Sequence, residues 1–304
     1  MDFITLKEVP PGVVTFLIDK AIQIKASPGA WADTLRGKTL AMLFQKPSTR
    51  TRFSFEAGVT QLGGHAIFAE WRHTHLNTTD LADEAHAISR YADLIMARLL
   101  RHADLRTLAE GSEVPVINGL DEKYHPCQAL ADLMTVKEKF GRTEGVRIVY
   151  MGIGNNVSNS LSLASVMCGA HFTLCVPERH PPSVDEELLD RLRASDLYRE
   201  TDDPQAAIQE ADVVYTDTWI DMEYFTDPKF ADEKERRVRT FKPYQVNEEL
   251  IAGRGTLVMH CLPAHKGYEV SETILSSSNS IVFDQAENRL HAQKALMLHL
   301  LNRL

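Results

Sequence analysis

The chain is poor in cysteine and in positive charge, and it has no long apolar run. Each shortage closes off a class of protein. Four cysteines occur in 304 residues, and no two form a C-x-x-C pair. Neither a disulfide framework nor a zinc ligand set is therefore written here. The 33 lysines and arginines are outnumbered by 42 acidic residues, for a net charge of −9. That balance argues against nucleic acid or an anionic membrane as a bulk partner. It leaves room for a small anion in a local basic pocket. No stretch approaches the ~18 apolar residues a membrane span requires. Residues 1–8 show no basic region leading into an apolar one, so no signal peptide is expected and a reducing cytoplasm is the expected compartment. Internal repeats and low-complexity tracts are absent as well.

What remains is an ordinary globular mixture long enough for two domains. Short β-type runs alternate with helical patterns. The first half offers strands at 39–44, 66–69, 93–97 and 114–117; the second offers 146–151, 171–176, 213–216, 256–260 and 280–283. Helical stretches such as 52–62, 79–91, 127–140, 156–167 and 185–194 lie between them. This alternation predicts an α/β fold built from βαβ units, with parallel strands apolar on both faces. Two sheets fit the length better than one, with 127–140 as the crossover helix and 141–145 as a linker beside it. The expected domains are 1–136 and 137–285, with a terminal helix over 286–304 packing back on the first. The charged stretch 227–239 reads as either a mobile surface loop or an exposed helix near a site.

The most informative motif is Ser48-Thr49-Arg50-Thr51, between an apolar strand and a helix. The N–H groups of a first helical turn have no intrahelical acceptor and the dipole is positive there. Hydroxyls and a guanidinium fork at that point suit a phosphate. An ordinary capped helix start uses the same residue types. Arg98 closes its own apolar strand, where α/β sheets gather ligands, although an exposed salt bridge would look the same. His125-Pro126-Cys127-Gln128 opens a helix, so His125 and Gln128 either face a pocket or serve the fold. Gly152-Ile153-Gly154-Asn155-Asn156-Val157 is a partial dinucleotide fingerprint whose third glycine is Val157. The better reading is a tight turn presenting two amides to a small polar substrate. Asp217 stands at a strand end, able to accept from an ammonium. Cys261 in His260-Cys261-Leu262-Pro263 invites a thiolate nucleophile, but a contact role is favoured because nothing obvious lowers its pKa. Arg289 offers a third guanidinium. Together these describe one anion site and one amino-acid-like site.

In combination and order, Ser48-Thr49-Arg50-Thr51, His125-Pro126-Cys127-Gln128, His260-Cys261-Leu262-Pro263 and the 284–291 stretch resemble the aspartate/ornithine carbamoyltransferase family, on its ornithine branch. The resemblance covers nearly the whole chain. It implies two α/β domains, a homotrimer with sites shared between subunits, and neither metal nor organic cofactor. It also implies transfer of the carbamoyl group of carbamoyl phosphate to the side-chain amine of ornithine, in arginine biosynthesis. By resemblance, Ser48, Thr49, Arg50, Thr51, Arg98, His125, Gln128 and Arg289 hold carbamoyl phosphate, with Cys261 and Leu262 lining the reacting centre. Arg50, Thr51, Arg98, His125 and Cys261 are the expected catalytic set, and His75 joins the carbamoyl phosphate set. Asn156, Asp217, Asp221 and Met222 are expected at the acceptor.

Three departures cluster near the acceptor and its lid. The family's Ser-Met-Gly turn is Asp221-Met222-Glu223 here, its Gln-Leu-Gly is His75-Leu76-Asn77, and the Asp between two glycines is Ile153. Drift explains them, or the acceptor is another amine such as putrescine, lysine or a modified ornithine. A catalytically silent relative is a further reading, which the intact anion set opposes.

Overall fold

The computed structural model describes residues 1–220 and 228–304. Its strands are β1 (Thr39–Phe44), β2 (His65–Glu70), β3 (Leu94–Arg98), β4 (Val116–Leu120), β5 (Arg147–Gly154), β6 (His171–Arg179), β7 (Tyr198–Thr201), β8 (Val213–Thr216) and β9 (Leu257–His260). The helices used below are α1 (Pro11–Ala26), α2 (Thr49–Gln61), α3 (Leu81–Ser89), α4 (His102–Gly111), α5 (Pro126–Phe140), α6 (Asn156–Met167), α7 (Glu186–Arg193), α8 (Pro204–Ile208), α9 (Ala231–Phe241), α10 (Glu248–Ile251) and α11 (Val282–Leu300).

Two parallel sheets form, in the orders β2-β1-β3-β4 and β7-β6-β5-β8-β9. The α/β expectation of two helix-flanked parallel sheets holds. Strands β1, β3, β5 and β8 are buried on both faces because helices cover both sides. Each sheet reverses its strand order once, between β1 and β3 and between β5 and β8. Ligands in such sheets collect beyond the carboxyl ends of the strands at these reversals. Helix α5 carries the chain from one sheet to the other, and α11 packs against α1, α2 and α5. One apolar core runs continuously from β1 and α2 through α5 and α11 to β5 and α6.

Some expectations need correction. The run 280–283 is not a strand: Ser280 makes a single bridge to Val258, and α11 already begins at Val282 rather than at 286. Ile281 and Val282 are buried by packing rather than by a ladder, and Phe283 is left exposed on the first turn of the helix. Strand β7, Tyr-Arg-Glu-Thr, escaped the reading because an edge strand with one wet face is polar. Helices α1, α4, α8 and α10 lie outside the helical stretches the sequence pattern marks. Residue 227 lies outside the described residues, while most of the charged stretch that follows it is the helix α9.

Candidate active site

The carboxyl ends of both reversals open onto one cleft of about 640 Å³. On the first side, Ser48 caps α2: its Oγ accepts from the Thr51 N–H at 3.4 Å and donates to Thr51 Oγ1 at 3.0 Å. Arg50 occupies the first turn, next to helical N–H groups left without intrahelical acceptors. Arg98 ends β3 at a bulge, where Ala97 pairs with Asn118 but Arg98 with Leu120. The skipped residue is Gly119, and a Cβ there would lie 2.5 Å from the Met96 sulfur. A bulge of this kind re-aims a side chain at the sheet's rim. Arg289 reaches in from α11, buried, donating to Gln128 Oε1 and to Thr51 Oγ1 at 2.9 Å each. His125 precedes α5, its N–H donated to Ser160 Oγ at 2.8 Å.

The electrostatics are one-sided. Burial lowers all three guanidinium pKa values, and Arg98 falls to about 9 under burial and the charges of Arg289 and Arg50. Burial and the same three arginines hold the His125 imidazole well below its usual value, so it stays neutral. Positive groups crowded in this way are relieved by an anion among them.

The facing side is built for a polar, partly cationic group. Asn155 caps α6, its Oδ1 accepting from the N–H groups of Val157 and Ser158 at 3.0 and 3.1 Å. Those donors are thereby spent, which removes the pyrophosphate site a dinucleotide requires. Asn155 Nδ2 donates to Asp217 Oδ2 at 2.7 Å, straight across the β5/β8 reversal. Asp217 Oδ1 accepts from the Cys261 thiol at 3.0 Å and from the Thr218 N–H at 2.8 Å. Burial and Asp217 push the Cys261 thiol far up, so it is a donor and not a nucleophile. Asn156 donates to the Asp121 carbonyl at 2.5 Å. Asp217, His260 and Cys261 place potential ligand atoms within 4.8 Å of one another. However, His260 Nδ1 accepts from the Leu262 N–H at 2.7 Å and Nε2 faces Glu269 at 3.2 Å, which leaves no ring nitrogen for a metal.

Comparison with known proteins decides the family. The carbamoyl-P binding domain of aspartate/ornithine carbamoyltransferase matches residues 1–138, and its Asp/Orn binding domain matches residues 144–300. The chain belongs to the aspartate/ornithine carbamoyltransferase family. An ornithine carbamoyltransferase of Haloquadratum walsbyi is 43% identical over 99% of this chain and 98% of its own length. The anabolic ornithine carbamoyltransferase of Pyrococcus furiosus is 47% identical over 86% of this chain and 84% of its own. A solved ornithine carbamoyltransferase from Pyrococcus furiosus superposes with a TM-score of 0.90 at 42% identity, covering 98% of this chain and 96% of that one.

Within this carbamoyltransferase fold, the cleft brings together Ser48, Arg50, Arg98, His125, Gln128, Asn156, Asp217, Cys261, Leu262 and Arg289. Thr51 lies one layer behind, fully buried. Thr49 points to solvent at the start of α2. His75 is exposed on the loop after β2 and does not line its own chain's cleft. Asp221 and Met222, with Glu223, lie outside the described residues. Sequence reasoning missed Glu122, His180 and Arg237, which also line the cleft. Arg237 sits in a run of charges on α9, and nothing local marks it as the one that turns inward to the Trp219 carbonyl.

Proposed function

We propose that this protein transfers the carbamoyl group of carbamoyl phosphate to the side-chain amine of ornithine, releasing citrulline and phosphate, as a step of arginine biosynthesis. The observation that carries the reading is the pairing of the two reversals. Three guanidinium groups, a neutral imidazole and a helix start face a carboxylate, two amides and a thiol across one cleft. Residues 1–136, with the terminal helix folded onto them, hold the donor, and residues 137–285 hold the acceptor. The names of the relatives favour ornithine over another amine.

The geometry supports a direct transfer. The neutral amine forms a bond to the carbonyl carbon, the bond to the phosphate oxygen breaks, phosphate leaves with the electron pair, and the nitrogen sheds a proton. Charge grows on the carbonyl oxygen and on the departing phosphate, and fixed donors act most strongly there. Arg50, Ser48 and the α2 N–H groups, that of Thr49 among them, hold the phosphate. Arg98 and His125 polarise the carbonyl, and Thr51, one layer behind, supports them by accepting from Ser48 and Arg289. Asp217 and Asn156, with Met222 by resemblance and Asp221 standing where the family has Ser, hold the amino-acid end of ornithine. Cys261 and Leu262 line the reacting centre. Alignment of two bound substrates contributes up to about 7–11 kcal/mol to lowering the barrier. We also propose a homotrimer in which a neighbouring chain lends His75 to the cleft, and a reducing cytoplasm for the four unpaired cysteines.

A colorimetric citrulline assay tests the function. Product forms with carbamoyl phosphate and ornithine, and far less with putrescine, lysine or acetylated ornithine. No ureido product with any of these amines overturns carbamoyl transfer, and a clear preference for another amine overturns ornithine.

A further inference from the structure

Behind the cleft, a carboxylate with no part in the proposed chemistry holds two glutamines at once. Asp132 on α5 is fully buried. Its Oδ1 accepts from Gln128 Nε2 at 2.9 Å and from Gln285 Nε2 at 2.7 Å. The far end of each amide meets a group that can only donate. Gln128 Oε1 accepts from Arg289 at 2.9 Å, and Gln285 Oε1 accepts from the His260 backbone N–H at 2.9 Å. Guanidinium and backbone N–H carry no acceptor, so both amide carbonyls must point outward and both NH2 groups must converge. Only an atom that accepts twice can stand where they meet. One arm runs on through Arg289 to Thr51 at 2.9 Å. The other ends at His260, the last residue of β9, from which Cys261 and Leu262 enter the cleft.

Resting on the carbamoyl phosphate reading of the cleft, we infer that Asp132 is a positioning residue that fixes the anion-holding Arg289 in register with the turn bearing Cys261 and Leu262. Gln128 and Gln285 are its two arms. The link joins the crossover helix, the terminal helix and the last strand of the second sheet. Neither Asp132 nor Gln285 lines the cleft, so their effect on turnover is indirect. Burial pushes the Asp132 carboxyl up to about 7, yet Oδ1 can accept whether or not the group is protonated, so the arms survive titration.

Asp132→Asn keeps an oxygen between the amides, whereas Asp132→Leu leaves two buried NH2 groups without an acceptor. Two-substrate kinetics should show Asp132→Leu losing roughly 10–100-fold in kcat/KM for carbamoyl phosphate, and Asp132→Asn recovering most of it. Gln285→Met cuts only the turn arm, so kcat should fall about tenfold while KM for carbamoyl phosphate stays within about threefold. A merely structural role would lower the melting temperature without this split and without rescue by Asn. Folded Asp132→Leu with wild-type constants, or Asp132→Asn as damaged as Asp132→Leu, overturns the inference. If Asp132→Leu does not fold, Gln285→Met decides, and an unchanged kcat overturns it. A wild-type chain that gives no calorimetric signal with carbamoyl phosphate sinks the reading of the cleft itself, a result distinct from failure of the variants.

Discussion

Arg50, Arg98 and Arg289 repel one another in a cleft where burial has removed much of the screening water. Arg98 bears most of the cost, which is why its guanidinium falls to about 9. Replacing a buried, uncompensated charge with an apolar chain of similar volume is often neutral or stabilising, while function is lost. Arg98→Met should therefore melt at or above the wild-type temperature in phosphate-free buffer. It should also lose most of the stabilisation phosphate gives, which reaches about 2.7 kcal/mol at a hundredfold excess over Kd. Its kcat/KM should fall about 10²–10³-fold. A lower melting temperature with the phosphate gain intact would contradict this. His125 supplies a second test at the same scale. Its folded pKa lies well below the ordinary 6.5, so the unfolded chain takes up the proton first as pH falls. Its contribution to stability is therefore whole above that value and is lost below it. His125→Gln has no such proton to gain, so its melting temperature should drop less than the wild type's between about pH 7 and pH 5.5. Asp132, raised to about 7, acts in the opposite sense in both proteins and cancels in the comparison.

Two of the strands that lead into the site, β3 and β5, are distorted at their carboxyl ends. In β5 the register slips between Met151 and Ile153, at Gly152, whose φ is +124°. A Cβ there would lie 2.7 Å from Trp219 Nε1. Gly152→Ala should cost roughly 1–3 kcal/mol in urea unfolding through backbone strain. Because Asn155 and Asp217 flank this contact, KM for ornithine should rise more than KM for carbamoyl phosphate. An equal rise in both would count against the assignment of the two sides. This scale also shows what a sequence discloses. Strands buried on both faces are unbroken apolar runs, and residues at their carboxyl ends, such as Arg98 and Asp217, are legible as lining a cleft there. The edge strand β7 has one wet face and reads as loop. The residues 281–283 are apolar enough for a strand, and only their packing shows that they open a helix. Asn155 was visible as part of a turn, but its lock on Asp217 was not, since 62 residues separate the partners. Asp132 and Gln285 are 153 residues apart, and no periodicity connects them.

At the scale of the molecule, the first sheet ends in β2, an edge strand with a half-exposed burial pattern. On this strand Ile67 is 47% exposed, on α2 Phe53 is 68% exposed, and Arg52 stacks over Phe68 with its guanidinium carbon 3.8 Å from the ring centroid. Soluble proteins cover or charge such edges, and apolar side chains left beside one mark an association surface. His75 follows β2 on the same margin, outside its own chain's cleft. The proposed trimer accounts for both features: the edge meets a neighbour, and His75 reaches the neighbour's carbamoyl phosphate. A chain carrying His75→Ala would then damage the cleft next door, whereas Arg98→Ala damages its own. Each variant alone should be nearly inactive. Co-expressed in equal amounts, they should assemble clefts in which an intact Arg98 meets a neighbour's intact His75. With random assembly in a ring this occurs at about one site in four, so close to a quarter of wild-type citrulline formation should return. No recovery, together with a monomeric mass by light scattering, would mean that His75 serves no neighbouring site and that the exposed margin has another purpose.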